Sequence, residues 1–266
     1  MTGFAQTDTT IHRTDTSATT ADTIRIGGMV IVRNGEGTHS RKVVLSNRIN
    51  RRPQSNLSTN WWIVDLGFNN YNDNTNYGSA EAQAFAGPGL TKEGLSLRTG
   101  KSVNVNIWFF MQRLNLVKHV VNLKYGLGLE LNNYHFDNTD VRITKNPAHI
   151  GLETGSVNEN KNKLAADYIT VPMMLNFNLT PGRSHGFGFS AGVSAGYLYS
   201  SRQKIKVGNH KDKIDGNLGL EKWKLAYIGE LSLGPVRLYG SYAMKSMWDK
   251  GLDQTPYAVG LRLSRW

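Results

Sequence analysis

Eight ionisable side chains recur at alternate positions of otherwise apolar segments: Asp65, Lys124, Glu130, Lys224, Glu230, Arg237, Lys245 and Arg262. Alternate residues of an extended chain share a face, so these carboxylates and cations are predicted to point the same way. Enclosed in a narrow lumen, they must pair or meet water to offset their desolvation. That makes a structural salt-bridge plug the first reading and a proton or solute path the second. A further group, Arg202, Lys204, Lys206, Lys211 and Lys213, lies in one loop close to Tyr197 and Tyr199. Such a polybasic segment suits the phosphates of an anionic lipid surface, and an ordinary solvated loop is the plain alternative. Nucleic acid is not expected as a partner, because no stacking platform or recognition motif accompanies the charge.

The remaining reactive types form no recognisable centre. The histidines His12, His39, His119, His135, His149, His185 and His210 fall in the leader, in loops or at strand ends, none at a metal-ligand spacing. The chain has no cysteine, which excludes a thiol nucleophile, a disulfide framework and a zinc-thiolate site. Gly186, Gly188 and Gly192 lack the strand-to-helix context of a phosphate loop. No catalytic residue, metal or cofactor is therefore expected, and a structural or interaction protein is favoured over an enzyme. A narrow transport pore and an enzyme with a site assembled from loop tips stand as alternatives.

The elements that must position these charges alternate apolar with polar or glycine. Val121, Leu123, Tyr125, Leu127, Leu129 and Leu131 oppose Asn122, Lys124, Gly126, Gly128 and Glu130. The same period-2 pattern runs through Val64–Phe68, Val103–Met111, Ile169–Leu179, Phe187–Tyr199, Trp223–Leu233, Val236–Met244 and Tyr257–Leu263. That gives about eight strands, many reaching the roughly 9 to 11 residues that a tilted strand needs to cross a bilayer. Long connections (72–100, 137–163, 201–221 and 245–255) alternate with short ones (113–119, 180–185 and 234–235). Long loops on one rim and tight turns on the other predict an all-β, antiparallel up-and-down transmembrane barrel of about eight strands, with both termini on the tight-turn, periplasmic side of an outer membrane. Trp61, Trp62, Tyr71, Tyr134, Phe136, Tyr168, Tyr197, Tyr199, Trp223, Trp248, Tyr257 and Trp266 cluster near strand ends and are predicted to form interfacial girdles.

Composition agrees with this frame. Only 39% of residues are hydrophobic, and no apolar run approaches the roughly 18 residues of a membrane helix. A net charge of +11 points to an anionic environment. Residues Met1–Gln6 contain no complete secretory signal, although Phe4-Ala5-Gln6 is compatible with the tail of one. Residues 1–22 read as a disordered leader, rich in Thr, Asp, Ser and Ala. Residues 23–60 read as a basic periplasmic arm with one or two short strands, and 61–266 as the barrel.

Particular segments resemble the PorT-like outer-membrane β-barrel proteins of the Bacteroidota. They are Trp62-Ile-Val-Asp-Leu-Gly-Phe-Asn-Asn-Tyr71, Gly100-Lys-Ser-Val-Asn-Val-Asn106 and Leu127-Gly-Leu-Glu-Leu-Asn-Asn-Tyr-His-Phe-Asp-Asn138, then Asn162-Lys-Leu164 with Tyr168-Ile-Thr-Val-Pro-Met-Met-Leu175, and finally Pro256-Tyr-Ala-Val-Gly-Leu261. The resemblance implies an outer-membrane barrel of about eight strands from a Gram-negative cell envelope. Its implied partners are outer-membrane lipid and other envelope or secretion proteins, and it carries over no catalytic residues. Trp266 departs from the pattern, being out of phase with Tyr257–Leu263.

Overall fold

Eight segments of alternating pattern close into a ring. The computed structural model describes residues 55–153, 159–181, 186–207 and 210–263, together with the backbone of strands at 21–26, 29–34 and 43–44. Residues 1–20 of the leader and Trp266 lie outside the described residues. In the first of two units, residues 1–54, β1 (Ala21–Ile26), β2 (Met29–Asn34) and β3 (Val43–Val44) form a small antiparallel sheet.

The second unit, residues 55–266, is the barrel. Its first strand, β4 (Leu57–Asp73), starts at Leu57 rather than at Trp61. After helix α1 (Ala80–Phe85) come β5 (Val103–Val117) and β6 (Val121–His135). A small hairpin, β7 (Val141–Thr144) and β8 (His149–Leu152), precedes the long strands β9 (Glu159–Asn178) and β10 (Phe187–Val207). The chain continues through β11 (His210–Asp215), β12 (Trp223–Leu233), β13 (Val236–Ala243) and β14 (Gln254–Leu263). Antiparallel pairing runs β4-β5-β6-β9-β10-β12-β13-β14 and returns from β14 to β4, an eight-stranded up-and-down ring. Closure leaves no edge strand in the ring, as lipid requires of any strand-built span. No helix is long and apolar enough to cross a membrane among the described residues.

The side chains sort as the alternation predicts. Leu66, Phe68, Ile169, Val171, Met173, Phe189, Tyr227, Val259 and Leu261 are exposed on the outer wall, while Asp65, Asn104, Lys124, Glu130, Asn176 and Arg262 are buried inside. An apolar exterior around a polar interior inverts the arrangement of a soluble barrel and matches a lipid-facing wall.

Of the register shifts in β5 and β10, two lie well inside the strands and reverse the phase of the residues that follow. An extra residue at Phe109, between the register pairs Trp108–Gly128 and Phe110–Leu127, turns the parity of β5. Met111, expected on the lipid face with Val103 and Ile107, is therefore fully buried inside beside Trp108, Ile63 and Met174. Gly128 gives the Trp108 ring its room, since a Cβ there would stand 2.7 Å from it. On the outer wall, Trp61 lies 6.0 Å from Phe110 and Trp62 lies 5.7 Å from Phe109, an aromatic quartet near the tight-turn rim. The second irregularity, at Tyr199 between Leu198 and Ser200, turns β10 in the same way.

The girdle expectation needs correction. Trp61, Trp62, Tyr197, Tyr199, Trp223 and Tyr257 are exposed on the outer wall, but Tyr134, Phe136, Tyr168 and Trp248 are buried. These four join Phe85, Leu90, Leu95, Ile143, Ile150, Leu164, Leu218, Leu220 and Leu252 in an apolar core contributed largely by the long connections. The long connections thus share a hydrophobic interior, a cap over their rim. Burial of their apolar side chains, at about 25 cal/mol per Å², holds the cap together.

Candidate functional site

Facing lumen strands bring opposite charges into contact. Arg262 on β14 donates from Nε to Asp65 Oδ1 and from Nη2 to Asp65 Oδ2, both at 2.7 Å. Its Nη1 reaches Glu230 on β12, and Glu230 also accepts from Lys124 Nζ on β6 at 2.7 Å. Lys224 on β12 pairs across the lumen with Glu130 on β6 and lies 5.6 Å from the Tyr168 ring. Asp65 additionally accepts from Trp108 Nε1 at 2.7 Å and Asn106 Nδ2 at 3.2 Å. An asparagine relay continues from Asn104 Nδ2 to Asn132 Oδ1 at 2.9 Å, with Tyr239 donating its hydroxyl to Asn104 Oδ1 at 2.5 Å. Buried charges persist only when paired and hydrogen-bonded, and six of the eight predicted lumen residues meet in this one network.

The other two are placed differently. Arg237 sits half-buried on β13, two positions before the buried Tyr239. Lys245 corrects the expectation: β13 ends at Ala243, so the alternation no longer aims its side chain inward, and Lys245 is exposed. Sequence reasoning missed the asparagines and Trp108, whose inward phase was the visible signal. Between these groups a lumen cavity of about 30 Å³ touches Trp108, Glu130, Thr170, Met174, Glu230 and Arg262, room for little more than a water molecule.

On the outside, Arg202, Lys204 and Lys206 lie on β10 and Lys211 and Lys213 on β11, so the segment read as a loop is a strand extension. Arg202 pairs with Asp167 at 2.8 Å and Lys213 with Asp215 at 2.7 Å. The cap carries a cleft of about 860 Å³ between the connection containing α1 and the β13–β14 connection, bordered by Glu81, Phe85, Trp248, Asp249, Lys250 and Asp253. Near it Tyr77 donates to Asp73 Oδ2 at 2.7 Å, and burial together with that carboxylate pushes the phenol well above its usual range. No group of three or more His, Cys, Asp or Glu side chains able to hold a metal occurs among the described residues.

A closed antiparallel ring, lipid-facing side chains outside and a charge-paired lumen define a small outer-membrane β-barrel. Residues 53–244 match the family described as outer membrane protein beta-barrel domain, and the chain belongs to that family. Among curated proteins none matches it.

Proposed function

We propose that this barrel is a non-catalytic accessory protein that binds other envelope components, its capped long-loop rim facing outward and the ends of its ring on the periplasmic side. Secretion proteins are the partners suggested by the PorT-like resemblance. The observation that carries the reading is double closure: a lumen crossed by the Asp65–Arg262–Glu230–Lys124 chain beneath an apolar cap. A barrel of about eight strands has an interior just wide enough for side chains to fill, so a plugged and capped ring suits binding better than conduction.

Planar-bilayer recording of the refolded full chain tests this. A silent bilayer is expected, and steady ohmic steps would favour the pore alternative. Orientation is read separately. The chain has no cysteine, so Lys250→Cys in the cap and Pro235→Cys in a tight turn provide single labelling sites. A membrane-impermeant maleimide is expected to label only Lys250→Cys in intact cells, and the reverse pattern would invert the assignment.

A further inference from the structure

We propose that the wall formed by β9, β10 and β11 docks the phosphorylated headgroups of outer-leaflet glycolipid through two in-register rows of lysines. The inference rests on the orientation just proposed, which places this wall above the outer leaflet.

Three Lys-x-Lys pairs carry the argument. Lys206 stands opposite Lys161 on one side and Lys211 on the other, and Lys204 stands opposite Lys163 and Lys213. Two adjacent rows of three cations therefore run across three strands. The rows face outward, because the opposite face of the same strands buries Leu164, Gln203 and Ile205. The irregularity at Tyr199 makes this possible: it turns β10 so that Arg202, Lys204 and Lys206 continue the outer face that carries Tyr197 and Tyr199.

Height and charge both fit the lipid surface. β9 and β10 run 20 and 21 residues, roughly twice the 9 to 11 that a bilayer crossing needs. The surplus carries the lysines beyond the exposed tyrosines, where phosphate groups lie. Like charges directly opposite one another destabilise a sheet, so lysines stacked in register serve the fold poorly without further anions. On this wall Asp167 pairs with Arg202, Asp215 pairs with Lys213, and Lys163 donates to Asn133 Oδ1 at 2.8 Å. Burial, then the nearby Lys204 and Lys161, pull Lys163 below the usual lysine range.

The test uses the full chain in zwitterionic micelles, titrated with monophosphorylated lipid A and followed by native mass spectrometry. Binding is expected, with at least a tenfold loss in K161Q/K163Q/K204Q/K206Q and none in K250Q. Equal binding of the dephosphorylated lipid, equal binding of phosphatidylglycerol, or complete competition by millimolar inorganic phosphate would each overturn the proposal. Should the quadruple variant lose its heat-modifiable band, the single variants K204Q and K206Q and the salt dependence of the unaltered chain replace it. Binding unchanged in both variants, or insensitive to salt, would be equally fatal. Labelling of Lys250→Cys from outside without lipid binding sinks this proposal alone. Labelling only after permeabilisation sinks the orientation reading instead.

Discussion

Arg262 and Asp65 stand directly opposite each other across the seam where the last strand of the ring meets the first. Their two-pronged ion pair therefore spans the one pairing that joins the two ends of the barrel sequence, β14 to β4. Arg262→Met would take the guanidinium away from Asp65 and leave Glu230 with one cation fewer beside Lys124, and breaking a buried pair from one side costs about 3–5 kcal/mol. The urea midpoint of the heat-modifiable band is expected to fall accordingly. Replacing Asp65, Lys124, Glu230 and Arg262 together with neutral isosteres (Asn, Met, Gln and Met) is expected to be milder than Arg262→Met alone, because each of their ion pairs then loses both charges together.

Trp248 tests whether the cap is a unit. It packs 5.5 Å from Phe85 and donates from Nε1 to Gln254 at 2.7 Å. Trp248→Ala should cost about 3–5 kcal/mol within the cap. Limited proteolysis is expected to cut faster in the 74–102 and 244–253 connections, while the barrel keeps its heat-dependent gel shift.

Deleting Tyr199 tests the parity turn. Without the extra residue, Gln203 and Ile205 would face outward and Lys204 and Lys206 would face the cap. Gln203 donates to Val141 and Asn162 at 2.9 Å and accepts from the Ile143 amide at the same distance. Losing those contacts should expose the β7–β8 hairpin to protease, whereas Tyr199→Phe should leave it protected.

His135, at the long-loop end of β6, supplies a pH dependence. Burial first, then Lys161, Lys163, Lys101 and Arg98, lower its pKa from 6.5 to about 4. The unfolded chain takes up this proton below pH about 6.5 and the folded chain only near 4. Stability is therefore expected to fall as pH drops through that window and to level off below it. Urea midpoints measured across pH 7 to 4 should show a shallower slope in His135→Asn, and parallel slopes would refute the assignment.

Much of the ring was legible because alternation is a local property. Leu123 to Glu130 sort outward and inward residue by residue, and the loop asymmetry announced the two rims. What escaped the sequence depends on counting errors of one. The extra residues at Phe109 and Tyr199 invert the phase of the residues that follow, sending Met111 inward and Lys204 outward. Trp248 and Tyr168 escaped for another reason, since an aromatic near a strand end looks the same whether its neighbour is lipid or another loop. Lys161 and Lys163 lay in a stretch read as a connection. Their Lys-x-Lys spacing, repeated at Lys204–Lys206 and Lys211–Lys213, was the available signal.

The apolar interior of the cap is separate from the apolar cluster around Met111 in the lumen. The molecule consequently carries two apolar cores, one formed largely by the long connections and one enclosed within the ring. Substitutions among the long connections can therefore repack the cap while the lipid-facing wall stays as it is, so the rim and the anchor are free to vary on independent schedules.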